Sequence, residues 1–211
     1  MRGVYVATEV PETPLVMAEA GLLVAGAGSV ASHQTAARVW GGVVPDDGLT
    51  HVTSPRRPRG SGMTAHRPKP GQRGSVVRGI PLTTPTSTFL DLSDELGLAE
   101  PVVLGDSLVR AGHATPQRLV AAASGYRGKA RRHARRAAAL VRADVDPPME
   151  TRARLLMVLA GLPEPVVNHK VRVARRCHLV GWRGGPCPAS ATARQVASRG
   201  GAAWRSGCPR G

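Results

Sequence analysis

The C-terminal part of this chain contains no Asp or Glu, and this composition limits the structures that it can form. Glu164 is the last carboxylate of the 211 residues, and residues 165–211 contain nine Lys or Arg. All three cysteines (Cys177, Cys187 and Cys208) lie there, with Trp182 and Trp204. We see neither an alternating strand pattern beyond Val171 nor an amphipathic helix of ordinary length. We therefore expect residues 172–211 to be a disordered basic tail.

Just before this tail, residues 146–171 begin with the signals of a helix followed by a strand. Asp146 is placed to cap the helix, Pro147 and Pro148 suit its first turn, and Glu150 suits the positive end of the helix dipole. Leucines then recur at near-helical spacing, and the valines of residues 166–171 indicate a strand. One helix and one strand make only part of an α/β domain.

Residues 1–125 alternate irregularly between helix and strand signals, which predicts an α+β unit. Thr13-Pro14 and Pro85 indicate helix starts, and Ser32 is placed to cap a further helix. Two more short helices are predicted within residues 101–123. Strands are predicted in "RGVYV", "THVTSP" and "GMTAHRP", and as a pair around Gly79. We expect "THVTSP" and "GMTAHRP" to form a hairpin.

The formal charge of +15 is concentrated in the tail and in two internal runs, residues 55–78 and 126–142, each with seven basic residues and no acid. A run without intervening acids favours binding to nucleic-acid phosphates, with weak sequence preference and steep salt dependence. A solvated charged face is the alternative. The candidate residues are Arg56, Arg57 and Arg59 in the hairpin turn, and Arg127, Lys129, Arg131, Arg132, Arg135 and Arg136 along one helix.

Other functional classes are disfavoured by the sequence. No apolar stretch approaches the roughly 18–20 residues of a membrane span, and we find no signal peptide, so we expect a cytoplasmic protein without a membrane partner. The cysteine spacing fits neither a disulfide framework nor a zinc pair. The seven histidines are scattered, without an i, i+4 pair or an attached carboxylate, so we predict no metal site and no cofactor.

Several segments, taken in order, resemble one protein family. They are "VASHQTAARVWGG", "HVTSPRRPRG", "GIPLTTPTSTFLDLSDELGL" and "ALVRADVDPPMETRARLLMVLAGLPEP". They look like an actinobacterial family in which an AbiEi-like type IV antitoxin region is joined to a domain similar to the very-short-patch-repair endonucleases. The resemblance covers roughly residues 2–171. It implies DNA as a partner and a cognate nucleotidyltransferase-like toxin. It also implies a winged helix before "RGVYV", which we expect this chain to lack.

The resemblance also implies a nuclease site, of which only the helix glutamate is matched, by Glu150. Nucleases of this kind need several carboxylates around Mg²⁺. We therefore expect Glu150 to be a solvated acid at a helix start and the protein to be a non-catalytic nucleic-acid-binding protein. The alternatives are a Mg²⁺-dependent endonuclease, with carboxylates supplied by another chain, and a toxin-neutralising interaction module.

The predicted organisation has four parts and an α+β fold class. Residues 1–125 form the antitoxin-like unit, residues 126–145 a basic helix, and residues 146–171 a remnant of a restriction-endonuclease-like α/β domain. Residues 172–211 form the disordered tail. A frameshift near residues 171–175 would explain the tail and the missing carboxylates, and a genuine basic tail is the alternative.

Overall fold

The computed structural model describes residues 4–183 except residues 57, 59, 144, 146, 147, 174 and 175, and for residues 166–183 it describes the backbone alone. The described part contains seven helices, a mixed five-stranded sheet and a two-stranded sheet, which confirms the α+β class. The elements are α1 (Pro14–Ala25), β1 (Val30–Ala31), α2 (His33–Val39), β2 (Thr50–Thr53), β3 (Met63–His66), β4 (Gly74–Val77), β5 (Ile80–Thr83), α3 (Pro85–Ser93), α4 (Ala99–Arg110), α5 (Pro116–Gly125), α6 (Arg131–Leu140), α7 (Pro148–Leu159), β6 (Val166–Val173) and β7 (Arg176–Arg183).

Helices α1, α3 and α5 begin at Thr-Pro pairs. In each, the threonine hydroxyl accepts a hydrogen bond from the amide three residues later, at 3.3 Å for Thr13, 3.3 Å for Thr84 and 3.2 Å for Thr115. The proline provides a first-turn φ that suits the helix. Helix α2 begins where predicted, but Ser32 makes no side-chain cap, because its hydroxyl is hydrogen-bonded to His33 Nδ1 at 2.9 Å.

The large sheet has the strand order β3-β2-β1-β5-β4. Strands β4 and β5 form the predicted hairpin, in which Arg78 and Gly79 have φ of 49° and 83°. The predicted hairpin of β2 and β3 is wrong, because Thr50–Thr53 runs parallel to Met63–His66. The predicted strand in "RGVYV" is also wrong over residues 4–6, and its first two residues lie outside the described part.

The core is built mainly from Leu, Val and Ala, as expected for a chain with 3% aromatic residues. Phe89 and Leu92 of α3 pack with Leu104 and Leu108 of α4, and all four are fully buried. Trp40 closes one side of this core and donates its indole N–H to the Thr83 carbonyl at 2.9 Å.

The basic helix is confirmed over Arg131–Leu140, so Arg127 and Lys129 precede the helix rather than line it. Its buried face consists of Ala134, Ala137 and Ala138, which pack into the main core. These small side chains bring the helix close to its neighbours and leave its arginines on the outer side.

Helix α7 packs against α4 through a buried polar group. Arg154 donates to Asp106 Oδ2 at 3.1 Å and to the Leu140 carbonyl at 2.9 Å, and Thr151 donates its hydroxyl to the same Asp106 oxygen at 2.8 Å. Asp106 Oδ1 accepts from the Arg142 amide at 2.8 Å. The carboxylate thus ties α4, the end of α6 and α7 together.

Strand β6 follows α7 as predicted, and β7 pairs with it antiparallel from Val166↔Arg183 to Val173↔Arg176. The prediction of no strand after Val171 is therefore wrong over Arg176–Arg183. Backbone pairing does not require a regular alternation of apolar and polar residues, and the sequence of this strand has none. The predicted Asp146 cap and residues 184–211 lie outside the described part. None of the helices in the described ranges is long and apolar enough to cross a membrane.

Candidate nucleic-acid interface

A groove of about 900 Å³ opens between the first turn of α3, helix α5 and the segment before β4. Arg73, Arg118 and Arg127 line it, together with His113 and Tyr126. All three arginines are exposed. Among the described residues, the lining of this groove includes no Asp or Glu. The groove is therefore a concave surface of positive charge.

The first turn of α3 shapes one wall of the groove. Thr84 and Ser87 line it, and Ser87 Oγ accepts a hydrogen bond from the Arg73 amide at 3.0 Å. This bond fixes the backbone of Arg73 to the start of the helix. The positive end of the α3 dipole adds to the field of the arginines, so the wall attracts anions.

Tyr126 links the groove to a set of paired charges beneath it. Its hydroxyl donates to the Asp94 carboxylate, and burial together with this bond raises the pKa of Tyr126 to about 12. Lys69 Nζ lies 3.1 Å from Asp91 and 2.9 Å from Asp94. The Ala130 amide also donates to Asp94, at 3.3 Å, which holds residues 127–130 in place. The acids below the groove are thus already partnered, and Arg127 is held at its rim.

The predicted residues of the second basic run divide into two groups. Arg131, Arg132 and Arg136 are exposed, and in the described part their side chains make no ion pair or hydrogen bond. Arg135 instead donates to the carbonyls of Ala123 and Ser124 at 3.3 and 2.8 Å, which satisfies the C-terminal end of α5. The first group is available to a ligand, whereas Arg135 holds α5 and α6 together.

Lys129 lies outside the groove but beside it. It lines an adjacent cleft of about 320 Å³ together with Arg127 and Tyr126. Arg127 therefore belongs to both concavities and joins the groove to the segment that leads into α6.

The first basic run contributes differently from what its sequence suggested. Arg56 is exposed in the turn that follows β2 but does not line the groove, and Arg57 and Arg59 lie outside the described residues. Arg73 and Arg118, which do line the groove, were not among the predicted binding residues. They are far apart in the sequence, and only the packing of α5 against α3 brings them to one surface.

Glu150 is not the solvated helix-start acid that the sequence suggested. It is buried, with 7% exposure, and its Oε1 has no hydrogen-bond partner in the described part. The helix dipole favours a solvated acid at the start of an isolated helix, whereas the first turn of α7 is packed against the rest of the protein. No group of three metal-binding side chains that includes Glu150 occurs among the described residues. Glu164 is engaged elsewhere, with both oxygens 3.0 Å from the Arg142 guanidinium.

Three of the histidines lie together, contrary to the prediction that they are scattered without a carboxylate. The rings of His33 and His66 stack at 3.5 Å, and His51 Nδ1 is 3.0 Å from His66 Nε2. Glu95 Oε1 lies 3.3 Å from both His33 Nε2 and His66 Nδ1. We call these four residues the histidine cluster.

The ionisation of the histidine cluster follows from its contacts. Interactions with His33 and His66 lower the pKa of Glu95, which is therefore a carboxylate. Burial lowers the pKa of His51, and the Asp47 carboxylate, 2.7 Å from His51 Nε2, opposes that shift in part. The sequence contained no local signal for this cluster, because β3 and the end of α3 meet α2 only in the folded chain.

Comparisons with protein-family models, with curated proteins and with solved structures find no match for this chain.

Proposed function

We propose that this chain is a non-catalytic nucleic-acid-binding protein related to the AbiEi-like antitoxins. The observation that supports it best is the arginine-lined groove, continued along the chain by the exposed arginines of α6. The sequence segments that resemble the antitoxin family favour DNA as the ligand.

Phosphate recognition suits the chemistry of this surface. Arginine presents a planar fork of donors that matches phosphate oxygens, and it stays charged at any physiological pH. His113 and Tyr126 line the groove, and aromatic rings are side chains on which bases can stack. The groove is too small for a duplex, so a duplex would be bound by its backbone across the rim and α6.

Catalysis is not part of the proposal. Metal-dependent cleavage requires several carboxylates on one ion, and the described residues offer Glu150 without such companions. A cleavage assay with the full chain, supercoiled plasmid and Mg²⁺ tests this point, with Glu150→Gln as the paired variant. Cleavage by the wild type that disappears in Glu150→Gln would replace this proposal with the nuclease alternative.

Binding is tested with the full chain, fluorescently labelled oligonucleotides and a series of salt concentrations. The variant replaces Arg73, Arg118 and Arg127 with Gln, and the tail is unchanged in both proteins. We expect weaker binding and a salt slope shallower by about 2–3, because each lost phosphate contact removes about 0.7–0.9 from the slope. Arg78→Gln is the matched control, since Arg78 is exposed in the β4–β5 turn and lies outside the groove.

The oligonucleotides include duplex DNA, single-stranded DNA and RNA of equal length. Equal affinity and equal salt slope for wild type and triple variant would contradict the groove as the binding surface. Loss of binding only for single strands would assign the groove to unpaired bases and leave duplex binding to α6 or the tail.

A further inference from the structure

We propose that the histidine cluster binds one divalent transition-metal ion, best matched by Zn²⁺, through His33 Nε2, His66 Nδ1 and Glu95 Oε1. Nothing in the nucleic-acid surface requires this site. It is formed by α2, β3 and the segment after α3, and none of its residues lines the groove.

The separations between the three donor atoms suit a tetrahedral ion. Glu95 Oε1 is 3.3 Å from each histidine nitrogen, and all three atoms lie within 4.8 Å of one another. Ligands about 2.0–2.1 Å from a tetrahedral zinc lie roughly 3.3–3.4 Å apart. The two separations from Glu95 are therefore close to the edge length of such a site.

The environment of His33 also supports a metal site. The His33 side chain is 1% exposed, and its Nε2 lies 3.3 Å from Glu95 Oε1 but makes no hydrogen bond in the described part. A buried polar atom without a hydrogen bond destabilises the folded state. His33 also has φ of 49°, a conformation that a non-glycine residue rarely adopts. A bound ion would give this atom a partner.

The other nitrogens of the two histidines are already engaged, which leaves the proposed ligand atoms available. His33 Nδ1 is 2.9 Å from Ser32 Oγ, and His66 Nε2 is 3.0 Å from His51 Nδ1. His51 is in turn oriented by Asp47 at 2.7 Å. Metal-binding histidines commonly use their second nitrogen in this way, and such outer contacts fix the ring and its tautomer.

Ion binding requires one change in the cluster. The rings of His33 and His66 are stacked, with 3.5 Å between their centroids and 15° between their planes, so their in-plane lone pairs lie in two separate, nearly parallel planes. One ion cannot lie in both planes, and one ring has to turn about its Cβ–Cγ bond. His66 is the freer of the two, since its side chain is 15% exposed and that of His33 is 1% exposed.

The donor set and the access to it indicate the kind of ion. Two imidazole nitrogens and one carboxylate suit Zn²⁺ and its neighbours, whereas Mg²⁺ and Ca²⁺ prefer oxygen ligands. The Glu95 side chain is 37% exposed, so the ion can enter from this side and water can occupy its fourth position. We therefore expect an open site with three protein ligands.

The test uses the full chain with Cys177, Cys187 and Cys208 replaced by Ser, so that thiolates do not bind the metal. Zn²⁺ affinity is measured by competition with a chelator, and Co²⁺ is added separately as a spectroscopic probe. We expect one tight Zn²⁺ ion per chain and the visible absorption bands of four-coordinate Co²⁺. Glu95→Gln should weaken Zn²⁺ binding at least about 100-fold, because the loss of outer contacts alone weakens metal sites 10–100-fold.

Glu19→Gln is the matched control, since Glu19 is an exposed carboxylate on α1 outside the cluster. Circular dichroism checks that each variant is folded, and His66→Gln takes the place of Glu95→Gln if that variant does not fold. Absence of tight Zn²⁺ binding in the cysteine-free chain overturns the proposal. Equal Zn²⁺ affinity in Glu95→Gln and Glu19→Gln also overturns it, because the ion would then be held by histidines elsewhere.

Discussion

The substitution Arg154→Met should destabilise the protein far more than the substitution Arg152→Met. The side chains of Arg154 and Asp106 are 1% and 3% exposed, and Arg154 also donates to Glu164 Oε1 at 3.2 Å. Methionine retains an apolar stem of similar length but no donor. The Asp106 carboxylate then stays buried with only the Thr151 hydroxyl and the Arg142 amide as partners.

The expected loss is about 3–5 kcal/mol in the free energy of unfolding, the usual cost of removing one partner of a buried ion pair. For a chain of this size that loss lowers the melting temperature by roughly 6–20 °C. Arg152→Met is the control, because the Arg152 and Glu100 side chains are 34% and 25% exposed and form a partly exposed pair. Its loss should be at most about 1 kcal/mol.

Urea unfolding followed by circular dichroism at neutral pH measures both variants. The double variant Asp106→Asn, Arg154→Met should lose less stability than Arg154→Met alone, since no buried charge is left without its partner. Burial raises the pKa of Asp106, so the loss in Arg154→Met should shrink as the pH falls and the carboxyl becomes protonated. Equal losses in Arg154→Met and Arg152→Met would refute the idea that the buried pair holds α7 in place.

Two further predictions concern packing and pH. Gly105→Ala should lower the free energy of unfolding by about 1–3 kcal/mol in the same urea assay, because the new methyl group would overlap Val141 and lie 3.3 Å from Phe89 Cε2. A Cβ at Gly125 would meet nothing within 4 Å, so the control Gly125→Ala should not destabilise the protein. The Arg142 hydrogen bonds lower the pKa of Glu164, so their contribution to stability is present above its ordinary pKa of 4.5 and is lost as the pH falls below it. Melting temperatures measured across the acid range should therefore fall less steeply in Glu164→Gln than in the wild type, and parallel curves would contradict the role of this pair.

Local structure could be predicted from the sequence because its causes are local. Thr13-Pro14 and Thr84-Pro85 specify helix starts through a hydroxyl acceptor and a fixed φ within one turn of chain. The β4–β5 hairpin was predicted from Gly79, where a two-residue turn needs positive φ. The pairing of strands could not be predicted from local sequence in the same way. Strands β2 and β3 were predicted as strands, yet their parallel arrangement depends on the chain between them.

The candidate sites were harder to predict, because each joins residues from distant segments. The basic runs drew attention to Arg127, but Arg73 and Arg118 reach the same groove only through the packing of α5. His33, His66 and Glu95 have no metal-site spacing in the sequence. Glu150 was judged from the dipole of its own helix, and its burial depends on the elements around it. In each case tertiary contacts decide the environment of the side chain.

Strand β1 affects the order in which the strands of the large sheet are expected to pair during folding. It has two residues, and it is the only link in the described sheet between the β3-β2 half and the β5-β4 half. Strands β4 and β5 are joined by a turn of a few residues, whereas Ala31 pairs with Leu82, which lies much later in the sequence. Loop-closure entropy delays such distant pairing. We therefore expect the pairs at the two edges of the sheet, β3-β2 and β5-β4, to form first and the two-residue strand β1 to join them last.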